Sequence, residues 1–304
     1  MQLSDLFRRR HFPAAVDGPA WSEVIVDPAV QAVVVGSDQV WNLGWMRSWE
    51  PYYLLGSLPD ESAIRRIAYG ACFGTMNQRP DDLDRAGPLL AKFAAIGVRT
   101  ETTRRIVEEN FGLPTTRVVD PSLLHDFRDL RGMRSFEGPY ILHYGIRPEA
   151  TERGRDIAVA LRRRTGLPIA LIVPESYALE SWPDTSWADR VLGEASPADW
   201  VESIRGCSFL VTDSFHGCVF ATRASRPFLA YAQGRSAERL LDVTRHYGLE
   251  ARMAPDGDAT EAVDAMMAPV DFAAVHERLA VEREASLRFL REALGGVAPA
   301  GATR

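Results

Sequence analysis

The sequence predicts an α/β protein with two Rossmann-like lobes, each a parallel sheet flanked by helices. Short apolar runs alternate with segments of helical period, and this alternation restarts after a charged stretch at 126–138. The 304 residues are 46% hydrophobic, which is enough to build two buried cores. We therefore expect lobes at 1–133 and 134–270, a C-terminal helix at 271–294 that packs back across, and a disordered tail at 295–304.

The first lobe contains short apolar runs separated by segments of helical period. One predicted strand is rich in small residues, which suits a strand close to another backbone. Gly112 is positioned to end a helix, whereas Gly87 and Pro88 interrupt another. The predicted strands are 32–35, 67–74 and 95–99, and 118–124 is predicted as a strand that runs into a turn. The predicted helices are 81–93 and 102–110.

The second lobe repeats this alternation and ends in a long amphipathic helix. Its predicted strands are 140–144, 168–173, 209–211 and 227–231, and its predicted helices are 150–165, 198–205, 218–224 and 272–294. Trp182 and Trp187 lie in a loop with Tyr177, where they could stack on a sugar ring or pack in the core.

Composition excludes several function classes. The net charge of −6 argues against general binding to nucleic acid, so an anionic ligand would be held by grouped arginines. No apolar run is long enough to span a bilayer and no secretion signal is evident, so we expect a cytoplasmic protein. The basic stretch at 7–12 could contact an anionic membrane surface or face solvent. The three cysteines lack metal-ligand spacing, so we expect neither a disulfide nor a metal site.

The stretch 212–217 is the strongest candidate for a binding site. It lies between a predicted strand and a predicted helix, where backbone N–H groups and the helix dipole favour an anion. Ser214 can cap the helix, Gly217 would let a ligand approach the backbone, and His216 can donate or accept a proton. The alternative is an ordinary helix cap beside a surface histidine.

A second group of polar side chains follows the first strand. Ser37, Asp38 and Asn42 lie where the carboxyl end of a parallel strand would place them, which is where open α/β sheets bind ligands. In the alternative interpretation, Asp38 and Asn42 only cap a turn and Trp41 packs in the core.

Six short blocks carry a resemblance to a known family. They are GSDQVWN at 36–42, YGACFG at 69–74, VR at 98–99, DPSLL at 120–124, TDSFHG at 212–217, and Arg239 nine residues before Gly248. In this order they resemble the polysaccharide pyruvyl transferase family over about 30–250. The resemblance implies two lobes in a GT-B-like arrangement.

The resemblance also implies a reaction and its partners. Characterised members move the enolpyruvyl group of phosphoenolpyruvate onto a sugar, usually as a ketal that bridges two hydroxyls. We therefore expect phosphoenolpyruvate as the donor substrate, a sugar or lipid-linked glycan as the acceptor, and neither a cofactor nor a metal.

Phosphoenolpyruvate carries a phosphate and a carboxylate, so its site needs cations and backbone donors. We expect His216 and Asp38 to be catalytic, with Asp213 as an alternative to Asp38 or as a structural residue. The expected substrate-binding residues are Arg99, Ser214, Phe215, Gly217, Arg235, Arg239, Ser37 and Asn42.

The chain also departs from the family pattern. No Asn-Tyr-Gly-Asp type turn precedes Gly36, so the first β/α unit is lost, the start is truncated, or the acceptor side is rebuilt. We accordingly expect a shortened N-terminal lobe. Gln233 and Arg235 stand where members often carry a lysine. Two other functions stay open: a GT-B glycosyltransferase that uses a nucleotide-sugar, and a non-catalytic member that binds an anion.

Overall fold

The computed structural model describes residues 29–45, 52–148, 151–174, 182, 184–232 and 237–295. Contacts divide them into an N-terminal unit, formed by 29–126 and 279–295, and a C-terminal unit, formed by 127–278. Each unit contains a parallel sheet with helices, so the predicted α/β class is confirmed. The basic stretch at 7–12 and the tail from 296 lie outside the described residues.

The N-terminal unit has a four-stranded parallel sheet in its described residues, in the order β1-β2-β3-β4. The strands are β1 Ala32–Val35, β2 Arg65–Ala71, β3 Ala95–Val98 and β4 Thr116–Arg117, and the helices are α1 Pro80–Leu90 and α2 Glu101–Phe111. Thr100 caps α2 by accepting from Thr103 N, and Gly112 ends it with a left-handed φ of 64°. Pro88 lies in the last turn of α1, which continues past it to Leu90.

Apolar side chains cover both faces of this sheet. Trp41 is fully buried, contacts Phe73 and Phe93, and donates from Nε1 to the Tyr53 carbonyl at 2.9 Å. The core interpretation of Trp41 is therefore confirmed. On another part of the sheet, Tyr69 contacts Phe289, which belongs to the final helix of the chain.

The C-terminal unit has a five-stranded parallel sheet in its described residues, in the order β7-β6-β5-β8-β9. The strands are β5 Ile141–Tyr144, β6 Ile169–Ile172, β7 Arg190–Leu192, β8 Phe209–Thr212 and β9 Phe228–Ala230. The helices are α3 Thr151–Thr165, α4 Pro197–Gly206, α5 Phe215–Arg223, α6 Ala237–His246, α7 Ala259–Met267 and α8 Phe272–Ala293.

This strand order creates a topological switch point between β5 and β8. The chain runs from β5 outward through β6 and β7, then returns to the other side of β5 to form β8 and β9. Open α/β sheets bind ligands at the carboxyl ends of the two strands that flank such a point. The 212–217 stretch follows β8, so the fold places the strongest sequence candidate at this position.

The core of the C-terminal unit contains Trp182 and Trp187, which are 6% and 9% exposed. Packing is therefore the observed role of both tryptophans, whereas Tyr177 lies outside the described residues. The three cysteines are buried free thiols, as expected. No helix in the described ranges has both the length and the apolar character required to cross a bilayer.

The boundary between the units lies earlier than the predicted 133/134. Phe127 packs its ring on Phe220 at 5.5 Å between centroids, and Arg205 donates to the Phe127 carbonyl at 2.7 Å. These contacts attach the segment from Phe127 to the C-terminal unit. The final helix α8 is divided between the units after Arg278.

Three elements of the C-terminal unit are absent from the sequence prediction. Strand β7 has only three residues, α6 begins within the basic sequence at 234–239, and α7 lies where no element is predicted. Helix α5 begins at Phe215, three residues before the predicted start at 218. The reason is that the Ser214 cap acts on the Gly217 N–H, so the intervening residues are already helical.

Candidate functional site

The candidate residues fall into two groups, one in each unit. Ser214, Phe215, His216 and Gly217 lie at the start of α5 in the C-terminal unit, and Arg239 lies in the first turn of α6 there. Ser37, Asp38, Asn42 and Arg99 lie at the carboxyl ends of β1 and β3 in the N-terminal unit. Arg235 lies outside the described residues.

Ser214 organises the junction between β8 and α5. Its Oγ accepts the Gly217 N–H at 3.1 Å, and its own N–H donates to Thr212 Oγ1 at 3.1 Å. Phe215 and His216 occupy the first two helical positions, where the helix dipole favours negative charge. The predicted role of Ser214 as a helix cap is thus observed.

The junction is tied to the loop that follows β5. Thr212 Oγ1 donates to the Tyr144 carbonyl at 2.6 Å, and Asp213 Oδ1 accepts the Ile146 N–H at 2.6 Å. Asp213 is 3% exposed, so its carboxylate serves an internal backbone contact. This geometry supports the structural role of Asp213.

Gly217 has a different role from the predicted one. A Cβ at this position would lie 2.6 Å from Thr212 Oγ1, and the residue is buried. Its missing side chain makes room for Thr212 inside the unit, so tight internal packing, and not the approach of a ligand, requires glycine here.

His216 and Arg239 are placed to act near the protein surface. Both side chains are half-buried, whereas Phe215 is 7% exposed and packs edge-on against the His216 ring. Helix α6, which carries Arg239, packs against α5. The structure thus brings Arg239 and the capped turn into one unit.

Arg147 is a candidate that the sequence prediction missed. It follows β5 and lies one residue after Ile146, whose N–H is held by Asp213. The side chain is half-buried, and its guanidinium forms no hydrogen bond or ion pair with the described residues. Its position directly after a strand at the switch point could have identified it.

A buried aromatic pair supports the carboxyl end of this sheet. His143 Nε2 lies 2.9 Å from Tyr231 Oη, and both side chains are inaccessible to solvent. Burial lowers the pKa of His143 to about 3, so its imidazole is neutral at physiological pH. Burial and the nearby Asp213 raise the pKa of Tyr231 well above its usual value. Gly154 fits against the pair because a Cβ there would lie 2.2 Å from His143 Nε2.

Arg99 in the N-terminal unit is bound by two carboxylates. Its guanidinium pairs with Asp38 and with Asp120, and its side chain is only 1% exposed. Cys72 Sγ lies 3.7 Å from the same guanidinium. Donor binding by Arg99 stays a prediction; in the structure, its single positive charge is paired with both aspartates.

Ser37 and Asn42 occupy the loop after β1. Asn42 is 8% exposed and donates to Gln39 Oε1 at 2.8 Å, as in the turn interpretation. Ser37 is half-buried, whereas the Asp38 side chain is 52% exposed. Asp38 therefore has the most exposed side chain of these three residues.

Comparison with known proteins identifies a family. Residues 4–235 match the model of the family described as polysaccharide pyruvyl transferase. The matched region begins well ahead of Gly36, where no family motif was found in the sequence. Among curated proteins, none matches the chain in sequence.

Solved structures with a similar fold have little sequence identity to the chain. Accessory secretory protein 1, 2 and 3 in Streptococcus pneumoniae aligns with a TM-score of 0.53 and 12% identity, over 88% of this chain and 53% of that one. UDP-GlcNAc 2-epimerase from Methanocaldococcus jannaschii aligns with a TM-score of 0.49 and 10% identity, over 86% and 78% of the two chains. The first likeness concerns the fold alone, and the second, with its lower TM-score, supports no conclusion.

Proposed function

Because the chain belongs to the polysaccharide pyruvyl transferase family, we propose that it transfers the enolpyruvyl group of phosphoenolpyruvate to hydroxyls of a sugar or glycan. The family is a transferase family, which fixes the class of reaction. Phosphoenolpyruvate as the donor is supported mainly by one observation, the Ser214-capped start of α5 at the switch point of the C-terminal sheet. This position combines a helix N-terminus with side chains that can serve an anion.

The donor contacts are proposed on the C-terminal unit. In this proposal the phosphate oxygens accept hydrogen bonds from backbone N–H groups in the first turn of α5. The carboxylate of phosphoenolpyruvate is bound by an arginine side chain. Arg147 suits this role because its guanidinium forms no ion pair with the described residues, and Arg239 lies on the adjacent helix α6. His216 stands at the second helical position, beside the bound phosphate in this arrangement.

The chemistry removes two protons from the acceptor hydroxyls and delivers two, one to the terminal carbon of phosphoenolpyruvate and one to the leaving phosphate. Protonation of the terminal CH₂ carbon of phosphoenolpyruvate makes its central carbon electrophilic, and an acceptor hydroxyl attacks this carbon and loses its proton. The carbon–oxygen bond to phosphate then breaks, and a second hydroxyl attacks with loss of its own proton. The products are a ketal and inorganic phosphate. A positioned acid contributes about 10²–10⁴-fold to the rate of such a step, and we assign this role to His216.

The direct test is phosphate release from phosphoenolpyruvate in the presence of a panel of methyl hexosides and glycan extracts. Wild-type protein should release phosphate only with an acceptor that carries two suitably spaced hydroxyls. His216→Ala should lose about 10²-fold or more of this activity. His125→Ala, which changes an exposed histidine of the N-terminal unit, is the matched control and should retain full activity.

Thermal stabilisation separates this proposal from nucleotide-sugar chemistry. Phosphoenolpyruvate should raise the melting temperature of the wild-type protein, since a ligand that binds only the folded state stabilises it. Stabilisation by UDP-sugars, with no effect of phosphoenolpyruvate, would contradict the proposed donor.

A further inference from the structure

The N-terminal unit contains a cavity of about 360 Å³ at the amino end of its sheet, which we call the amino-edge cavity. Arg65, Ala95 and Thr116, the first residues of β2, β3 and β4, line it together with the end of α8. Asp38 and Arg99 follow the carboxyl ends of their strands, so the cavity lies at the opposite end of the sheet from them. Small-molecule sites have volumes of about 300–1,000 Å³, so this cavity suits a compact ligand.

An apolar surface forms part of the cavity wall. Phe93, Leu113 and Phe289 contribute to it from the segment after α1, the segment after α2 and helix α8. The Phe289 ring contacts Tyr69, and the Phe93 ring lies edge-on against Trp41 at 5.9 Å between centroids. Both phenylalanines are thus placed by contacts with the core of the unit. Such a surface would bury the hydrocarbon part of a ligand.

Glu292 brings a negative charge to the same wall. It lies in the last turn of α8, and its side chain is exposed. Its carboxylate forms no hydrogen bond or ion pair with the described residues. The C-terminal end of a helix carries a partial negative charge, so a carboxylate there is electrostatically unfavourable. A cationic group on a ligand would be stabilised by the carboxylate and by the helix dipole together.

Arg65 brings a positive charge. Its Nη1 donates to the Gly295 carbonyl at 3.0 Å, just beyond the end of α8. Its Nε–H is buried and has no hydrogen-bond partner among the described residues. Its guanidinium forms no ion pair with Glu292 or with any other carboxylate in the described ranges. A buried donor without an acceptor costs free energy, and the carboxylate of a ligand would supply that acceptor.

From these observations we propose that the amino-edge cavity binds an α-amino acid with an apolar side chain. The carboxylate of the amino acid accepts from Arg65, and its ammonium group pairs with Glu292. Its side chain is buried against the apolar part of the wall. A simple carboxylate would be repelled by Glu292 and a simple amine by Arg65, so only a ligand with both charges satisfies both residues. This binding site goes beyond the proposed function and does not depend on it.

Titration calorimetry with the full-length protein tests which chemical groups the cavity recognises. L-leucine, L-methionine and L-phenylalanine are the probes, and at least one should bind saturably at a single site. The primary amide of the tightest binder lacks the carboxylate, and its N-acetyl derivative lacks the ammonium group. Each derivative should bind tenfold or more weakly than the amino acid, because one charge-assisted pair is lost.

Two substitutions assign these contacts to individual side chains. Arg65→Gln should weaken binding of the amino acid at least tenfold, whereas the amide should bind no more weakly than it does to wild type. Glu292→Gln should weaken binding of the amino acid to a similar extent, whereas the N-acetyl derivative should bind no more weakly than before. Glu292 is exposed, so this second variant tests the proposal if Arg65→Gln fails to fold.

Glu284→Gln and Arg288→Gln are the matched controls, because both residues are exposed on α8 and neither lines the cavity. Both should bind the amino acid within about twofold of wild type. Absence of binding by all three amino acids would overturn the proposal, as would equal affinities for the amino acid and its two derivatives. An unchanged affinity in Glu292→Gln, or an equal loss in Glu284→Gln, would overturn it as well.

Discussion

Replacement of His143 by glutamine should make the stability of the C-terminal unit less dependent on pH. His143 is fully buried, and burial lowers its pKa from the ordinary 6.5 to about 3. Below pH 6.5 the imidazole of His143 is therefore protonated in the unfolded chain, whereas in the folded protein it stays neutral until about pH 3. Stability that is fully present above pH 6.5 is lost as the pH falls through this window.

The magnitude follows from the size of the window. A pH of 5 lies about 1.5 units below the pKa of the unfolded imidazole, and each unit is worth about 1.4 kcal/mol. The free energy of unfolding at pH 5 is therefore about 2 kcal/mol lower than it would be without this titration. Glutamine does not titrate, and its amide can still bond to Tyr231 Oη, the present partner of the ring.

Urea unfolding at pH 7.5 and at pH 5.0 measures the contribution of His143 to the pH dependence of the unfolding free energy. The decrease in unfolding free energy between the two pH values should be about 2 kcal/mol smaller in His143→Gln than in wild type. Equal decreases in wild type and His143→Gln, within about 0.5 kcal/mol, would refute the claim that the buried imidazole stays neutral.

Three further substitutions test the local structure through unfolding free energies. Gly217→Ala should cost about 1–3 kcal/mol, because its Cβ would lie 2.6 Å from Thr212 Oγ1; a neutral effect would contradict the packing argument. Ser214→Ala should cost about 1 kcal/mol through loss of the cap on α5, and equal stability would show that this hydrogen bond contributes nothing. Arg252→Met should cost about 2–4 kcal/mol, since this buried guanidinium donates to carbonyls at and beyond the end of α7, whereas exposed Arg163→Met should have little effect.

The periodicity of the apolar residues and the turn-forming residues between segments were enough to predict the α/β class and the two parallel sheets. The strand at 209–212 was recognisable because an apolar run ended at polar Thr212 and Asp213, and the Ser214 cap followed from its position ahead of a helix. Such signals are local, so the sequence alone could carry them. Strand β7 was missed because three residues are too few to show a period.

The role of Arg99 could not be predicted because it depends on contacts distant in sequence. Asp38 and Asp120 follow other strands, and only the parallel sheet brings them to the same guanidinium. From the sequence, an arginine at the end of a strand looks equally suited to a substrate anion and to internal carboxylates. Arg147 was missed for the opposite reason, since the absence of an ion pair with the described residues becomes evident only when the neighbouring side chains are placed.

Carbon-13 NMR tests most directly the proposed transfer of the enolpyruvyl group of phosphoenolpyruvate. Phosphoenolpyruvate labelled at its CH₂ carbon should lose its vinyl signal and yield a ketal methyl signal when wild-type protein and a competent sugar acceptor are present. His216→Ala should leave the vinyl signal in place. A vinyl signal that persists with wild-type protein across the whole acceptor panel would contradict the proposed transfer.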